Sequence, residues 1–129
     1  MPVEQRFVGW DVGMIQADAL GVDQEKTLAS LKALETDLPQ RIDQEVAWIG
    51  EQNTPVLVVG DIPPAAAVLS ERLGAPLVWM GNFGWDEIYE PLGGRFSEYA
   101  AAARAQYRQG ELLLRCPFSM AMPWGLDEQ

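Results

Sequence analysis

The side chains of this chain that could do chemistry begin directly after two apolar stretches, at Asp61 and at Asn82. The carboxylate of Asp61 could bind or deprotonate a ligand hydroxyl, as a positioned acid side chain does in general base catalysis. The alternative is structural, because an Asp just ahead of Pro63 and a helix can cap the free N–H groups of the first turn. Asn82 has the same two roles open to it, and capping is the favoured role of both residues.

Two aromatic and two acidic side chains follow within the segment 82–90. Trp85 and Tyr89 are four positions apart and share a helical face, while Asp86 and Glu90 share the adjoining face. An aromatic ring beside carboxylates suits a sugar, because the ring stacks on C–H groups and the acids accept hydrogen bonds from hydroxyls. The equally weighted alternative is that these rings seal the core beneath the loop. The candidate substrate-binding residues are therefore Asp61, Asn82, Trp85, Asp86 and Tyr89, and no residue is singled out as catalytic.

Composition excludes several other chemistries. The chain has no histidine and a single cysteine, Cys116, so histidine acid–base chemistry, a zinc site of the usual kind and an intrachain disulfide are all excluded. The acids Asp11, Asp18 and Asp23 do not have the spacing of an EF-hand, and we interpret them as loop or cap residues rather than metal ligands. Neither Gly-x-Gly-x-x-Gly nor a Walker A pattern occurs, and we predict no metal and no cofactor.

Length and charge limit the partners and the compartment. The 129 residues suffice for one domain, and the net charge of −10 disfavours nucleic acid and anionic membranes. No stretch approaches the roughly 20 apolar residues of a membrane span, and the N-terminus lacks the apolar segment of a signal peptide. The sequence therefore predicts a cytoplasmic protein that neither spans a membrane nor binds nucleic acid.

The elements that must position these side chains alternate between apolar strands and amphipathic helices. Continuous apolar runs predict the central strands of a parallel sheet covered on both faces, at 56–60, 75–81 and 112–116. Helical periodicity predicts helices at 24–52, 65–73, 82–92 and 96–109, and Pro39 is expected to kink or divide the first of them. This alternation predicts an α/β fold, a three-layer Rossmann-like domain with a short, mainly parallel sheet of three or four strands flanked by helices.

The two ends of the chain are less regular in sequence. Residues 1–13 are predicted to form a short strand or an extended arm, because two glycines interrupt the apolar pattern. Residues 117–129 are rich in Pro, Met and Trp and are predicted to be an irregular tail. Its large apolar side chains are expected to be partly exposed, and they are Phe118, Met120, Met122 and Trp124.

Several stretches carry a more specific pattern. They are Gln-Ala-Asp-Ala-Leu at 16–20, Val-Val-Gly-Asp-Ile-Pro-Pro at 58–64, Asn-Phe-Gly-Trp-Asp-Glu-Ile-Tyr at 82–89, Leu-Arg-Cys-Pro at 114–117 and Met-Pro at 122–123. Together they resemble the N-terminal, acceptor-side domain of GT-B type glycosyltransferases. The resemblance is strongest to MurG-like transferases and to the glycosyltransferase-like region of plant L-arabinokinases, and it covers most of 11–123. The string at 82–89 is its most specific part.

The resemblance implies a function, and it implies that the domain is incomplete. Members of the family begin with a strand and a glycine-rich loop that often carries Gly-His-Gly, and they end with a domain that binds the nucleotide-sugar donor; neither is present here. Residues 1–129 are thus expected to be a single partial domain of a nucleotide-sugar-dependent glycosyltransferase. This domain would bind a sugar or glycoside acceptor and would be inactive alone.

Two alternatives from other classes stay open. The chain could be a stand-alone sugar-binding module that acts with a separate donor-domain partner, or a non-catalytic assembly module. A homo-oligomer, specifically a two-fold dimer, is expected in each case, because the missing first strand would leave a sheet edge uncovered.

Overall fold

The computed structural model describes residues 3–16 and 21–129 as an α/β domain. Asp18, which we interpreted as a loop or cap residue, and most of the stretch 16–20 lie outside the described residues. The elements in chain order are α1 (Gln24–Glu51), β1 (Val58–Gly60), α2 (Ala66–Leu73), β2 (Leu77–Gly81), α3 (Trp85–Tyr89), a 3-10 turn (Glu90–Leu92), α4 (Arg95–Tyr107), β3 (Leu112–Arg115) and β4 (Asp127–Glu128).

The four strands form one sheet in the order β1-β2-β3-β4, and every neighbouring pair is parallel. The predicted α/β class is confirmed: helices flank a short parallel sheet, and the arrangement is consistent with a Rossmann-like three-layer fold. The tail, however, is not wholly irregular, because β4 lies within it and pairs with β3. A strand of two residues carries too little pattern to be seen in a sequence.

Helix α1 is the longest element of the domain. Asp23 caps it, and its side chain accepts a hydrogen bond from the Lys26 backbone N–H at 2.9 Å. The helix is not divided at Pro39, which lies inside a continuous run of 28 residues. Pro39 has no backbone N–H, so one hydrogen bond of the helix is missing. Leu31 and Ile42 are buried on one side of the helix, and this packing against the domain stabilises it despite that loss.

The N-terminal segment 3–14 is extended and lies along α1. Arg6 donates from Nε and Nη2 to the Glu45 carboxylate at 2.8 and 2.9 Å, and its guanidinium lies 4.6 Å above the Trp48 ring. Arg41 donates to the Gly9 carbonyl at 2.8 Å. These contacts hold the segment over α1 and bring residues 10–12 towards α3.

The core lies between one face of the sheet and helices α2 and α4. Trp79 of β2 meets Tyr107 of α4 edge-on at 5.0 Å, and Tyr107 stacks on Trp124 at 4.1 Å. The Trp79 indole N–H donates to the Tyr107 carbonyl at 2.9 Å, so both the rings and their polar atoms have partners. The expectation that Trp124 and Met122 are partly exposed is wrong, because they are 2% and 3% exposed and complete this cluster. Phe118 and Met120 are exposed, as expected.

The other face of the sheet carries apolar side chains that the described residues leave open. Val59, Met80 and Leu114 are exposed at 54%, 38% and 36%, and Leu57, just before β1, is also exposed. The strands were predicted to be covered on both faces. At Val59, Met80 and Leu114, which point away from α2 and α4, the described helices leave the sheet uncovered. In the described parts of the chain, no helix has the length and apolar character needed to cross a membrane.

Candidate functional site

The two residues predicted at strand ends are both solvent-exposed and neither caps a helix. Helix α2 begins after Ala65 and helix α3 after Gly84, so the favoured capping roles of Asp61 and Asn82 are wrong. The Asp61 carboxylate lies near Gly81, and its Oδ1 would be 3.9 Å from a Cβ placed there, an ordinary van der Waals contact. Asn82 uses its backbone carbonyl to accept from the Met120 N–H at 2.7 Å. Their side chains therefore remain available to a ligand at the carboxyl edge of the sheet.

Asp86 is fully buried, and its partners come from distant parts of the chain. Its Oδ2 atom accepts from Arg104 Nε of α4 and from the Trp124 indole N–H, both at 3.1 Å. Oδ1 is buried without a hydrogen-bond partner among the described residues, and it lies against the backbone of Gly84. A side chain with no exposed surface cannot touch a ligand, so Asp86 holds α3, α4 and the tail together.

Arg104 links this buried acid to the surface. Its Nη2 donates to Glu90 Oε2 at 2.6 Å, which places one guanidinium between two carboxylates. The hydrogen bond with Arg104 lowers the pKa of Glu90, and the bond with Glu90 raises the pKa of Arg104. The predicted pairing of Asp86 and Glu90 on one helical side is thus explained by a shared cation rather than by a ligand.

Trp85 and Tyr89 stack on each other, with ring centres 5.6 Å apart and planes 18° apart. The Trp85 indole N–H donates to Asp11 Oδ2 at 3.0 Å, and the Tyr89 hydroxyl donates to the Val12 carbonyl at 2.7 Å. The Trp85 backbone N–H has no partner within α3, because it lies at the start of the helix. It donates instead to the Tyr107 hydroxyl at 3.1 Å. The two rings are therefore anchored by both the N-terminal segment and α4.

These rings form part of the wall of an open cleft of about 240 Å³. The cleft lies between the N-terminal segment, α1, α3 and α4, and its surface is mainly apolar. The lining residues with aromatic or polar side chains are Trp10, Asp11, Glu35, Trp85, Tyr89, Tyr99 and Gln106. Neither Lys nor Arg is among the described residues that line it, so its polar groups are acidic or neutral. We call this the aromatic cleft.

The aromatic cleft brings together only part of the predicted site. Trp85 and Tyr89 line it, whereas Asp61 and Asn82 lie outside it and Asp86 is buried behind it. Burial, and then the nearby Asp11 charge, raise the pKa of Tyr89, so its phenol stays protonated and donates to Val12. The Tyr99 hydroxyl donates to Glu35 Oε2 at 3.1 Å across the rim.

Sequence reasoning missed the residues that complete this cleft. Trp10 lay in the predicted arm and Asp11 was interpreted as a loop or cap residue, while Glu35 and Tyr99 lay in predicted helices and were given no role in a site. The neighbouring Trp10 and Asp11 repeat the aromatic–acid pairing of Trp85 and Asp86, which is the one local signal that could have indicated them. The remaining members come together through helix packing, which local spacing does not encode. Among the described residues, no group of three or more potential ligands could hold a metal ion.

The fold and the cleft define a small α/β domain with a parallel sheet and an aromatic, acid-rimmed cavity on its helical side. No family model matches the chain, and no solved structure matches it. It is 35% identical to L-arabinokinase of Arabidopsis thaliana in an alignment 127 positions long that covers 92% of this chain. The chain is therefore related to that protein, although it spans only 11% of its length. This relation is consistent with a partial domain of a larger enzyme.

Proposed function

We propose that this chain is a sugar-binding, acceptor-side part of a glycosyltransferase-like enzyme, and that the aromatic cleft is where the sugar binds. The observation that carries the proposal is the similarity to L-arabinokinase along 92% of the chain, since that protein's name identifies a sugar as its substrate. The resemblance of 82–89 to GT-B acceptor domains supports the more specific glycosyltransferase role. Trp85 and Tyr89, from that same segment, line the cleft.

The chemistry of the cleft favours a neutral sugar. Trp10, Trp85 and Tyr99 offer apolar surface to C–H groups, and the carboxylates of Asp11 and Glu35 are hydrogen-bond acceptors for hydroxyls. A sugar phosphate would meet acidic side chains without a cation lining the wall, in a chain of net charge −10. Neutral monosaccharides or glycosides are therefore the expected ligands.

Binding without turnover is the expected behaviour of the chain alone. Transfer requires a donor held against an acceptor and a base near the attacking hydroxyl. The cleft is open to solvent on one side, so a dissociation constant near 1 mM is expected, about −4 kcal/mol. No hydrolysis or transfer of a nucleotide sugar by the pure chain is expected.

Titration with L-arabinose, followed by NMR, tests the proposal. Wild-type resonances of residues 85, 89 and 99 should shift, and galactose 1-phosphate at equal concentration should shift them far less. Trp85→Ala should weaken binding about five-fold or more, since loss of a ring contact costs on the order of 1 kcal/mol. Glu35→Gln, at the exposed rim, should weaken binding about two- to five-fold without disturbing the core.

The matched control is Glu71→Gln, an exposed acid on α2 that does not line the cleft. It should bind as wild type does. Shifts confined to Asp61 and Asn82 would place the sugar at the carboxyl edge of the sheet instead. Absence of any shift on the folded chain would remove the sugar-binding proposal.

The second candidate is a binding or assembly module that acts with a separate donor-domain protein. It is favoured by the open apolar face of the sheet, because exposed apolar surface of this kind marks interaction sites. Unaltered binding of arabinose together with stable capture of a purified donor domain would favour this candidate over a single-chain role.

A further inference from the structure

One wall of the aromatic cleft comes from an extended segment rather than from a helix. Trp10, Asp11 and Val12 line the cleft, and all three belong to the N-terminal segment 3–14. This segment forms neither a helix nor a strand, so no regular backbone hydrogen bonds hold it in place. Its position depends instead on a few side-chain contacts. We call residues 6–12 the strap.

Arg6 holds one end of the strap against α1. Its Nε lies 2.8 Å from Glu45 Oε2 and its Nη2 lies 2.9 Å from Oε1, so the guanidinium grips both carboxylate oxygens. The Glu45 side chain is 10% exposed and that of Arg6 is 39% exposed. Within the part of the chain that the structure describes, no other cation pairs with Glu45. If Arg6 moved away, this largely buried carboxylate would be left without its partner, which is costly.

The strap runs antiparallel to α1, from this ion pair to the cleft. Arg6 pairs with Glu45, Gly9 bonds to the preceding turn of α1, and Trp10 then lines the cleft together with Leu38. The part of α1 between residues 45 and 38 spans about 10 Å. The four steps from Arg6 to Trp10 can span at most about 14 Å. The strap therefore has little slack, and a displacement of Arg6 is passed on to Trp10.

The other end of the strap is held by apolar packing. Val12 and Met14 pack against the apolar cluster that includes Tyr89, and the Val12 carbonyl accepts from the Tyr89 hydroxyl at 2.7 Å. Earlier in the strap, Phe7 is exposed and the bond that Asp11 accepts is open to solvent. Residues 6–11 can therefore swing outward about Val12 without uncovering the core. Segments with few buried apolar contacts open at lower free energy than the core does.

We propose that the ion pair between Arg6 and Glu45 is a latch that regulates the aromatic cleft. When it is paired, the strap holds Trp10 and Asp11 in the wall; when it is broken, the strap swings away and the cleft opens. Arg6 is thus a positioning residue, because it lies outside the cleft and acts through Trp10 and Asp11. The effect of the latch on sugar affinity rests on the proposed function, whereas its effect on the position of the wall does not.

The NMR resonance of the Trp85 indole N–H tests the latch without any sugar, because this group donates to Asp11. Asp11→Ala gives the reference position of the resonance when the strap acceptor is lost. Arg6→Gln should move the resonance most of the way to that reference, although Arg6 is remote from Trp85. Arg6→Lys keeps the charge but loses the two-pronged contact, so its resonance should lie between those of wild type and Arg6→Gln.

Sugar affinity is the second measurement. Arg6→Gln should weaken L-arabinose binding about five-fold, the factor expected for the loss of one ring contact in the wall. Glu45→Gln breaks the same ion pair without leaving a buried carboxylate unpaired. It should reproduce both effects, and it provides the test if Arg6→Gln fails to fold.

The matched control is Arg72→Gln, which breaks a 2.7 Å ion pair with Asp43 on the same helix, away from the strap. It should leave the Trp85 resonance and the arabinose affinity as in wild type. An unchanged resonance in both Arg6→Gln and Glu45→Gln would overturn the proposal, and so would an equal shift in Arg72→Gln. A shifted resonance with unaltered arabinose affinity would overturn regulation of the cleft. If wild type bound no arabinose but the resonance shifted as expected, the latch would stand and the sugar-binding proposal would fall.

Discussion

At the residue scale, Asp86 shows how an acid that the sequence predicts to bind a ligand can instead serve the fold. Its carboxylate is fully buried and joins α3 to Arg104 of α4 and to Trp124 of the tail. Buried acids are retained when they are paired and hydrogen-bonded, and removing one partner leaves the other uncompensated. Glu87, the next residue, approaches the same guanidinium only to 3.9 Å and is partly exposed. This neighbour provides a matched comparison.

We expect Asp86→Ala to lower the free energy of unfolding by about 2–4 kcal/mol. Glu87→Ala, beside it on the same turn, should lower it by less than about 1 kcal/mol. Urea denaturation of both variants checks the difference. If Asp86→Ala lowered the free energy of unfolding as little as Glu87→Ala, Arg104 would be satisfied by Glu90 alone, and the buried acid would not be a structural link.

At the element scale, the start of α3 depends on a glycine for space rather than for backbone freedom. Gly84 has an extended backbone that any residue can adopt, with φ −125° and ψ 152°. A Cβ there would overlap Asp86 Oδ1 and approach Trp124 Cζ2 to 2.5 Å. Both of these neighbours are fixed by hydrogen bonds, so α3 can approach α4 and the tail only if residue 84 has no side chain.

We expect Gly84→Ala to destabilise the domain by about 1–3 kcal/mol through overpacking. Gly50→Ala is the opposite case, because nothing lies within 4 Å of a Cβ at this position of α1. It should stabilise the domain by about 0.5–1 kcal/mol, since Gly inside a helix is less favourable than Ala. Thermal unfolding of the two variants measures both effects, and shifts of the same sign would contradict this account of α3.

At the scale of the whole molecule, ionisation of the three tyrosines makes the stability of the fold depend on pH in the alkaline range. Burial raises the pKa of Tyr89, Tyr99 and Tyr107 above the ordinary value of 10.0. Tyr107 also donates to the Ile62 carbonyl at 2.8 Å, a bond that its ionised form could not make. Because the folded pKa values are raised, the associated stability is present below pH 10.0 and is lost as the pH rises above it.

We therefore expect tyrosinate absorbance to appear together with loss of circular dichroism, at a pH above 10.0. Ionisation should then be cooperative rather than a simple titration. Tyr107→Phe should be less stable at neutral pH, because the Ile62 carbonyl and the Trp85 N–H lose their partner, but its stability should fall less with rising pH. Tyrosinate that forms near pH 10 in a protein with native circular dichroism would contradict the expectation.

The sequence by itself determined the class of fold and the positions of its main elements. Each strand from 58 to 115 lies within a predicted apolar run, and helices α2 and α4 agree with prediction to within two residues at each end. These features are local: apolar periodicity and helix-ending glycines such as Gly74 depend on neighbouring residues only. The chain therefore carries them in its spacing.

Only the tertiary structure decided what the candidate side chains do. Asp86 is buried by partners 18 and 38 residues away, and the aromatic cleft joins Asp11 to Trp85 across 74 residues. The apolar strands likewise predict burial on both faces, but whether a covering layer is present depends on the whole assembly. Contacts of this range are set by packing, and spacing along the chain carries no record of them.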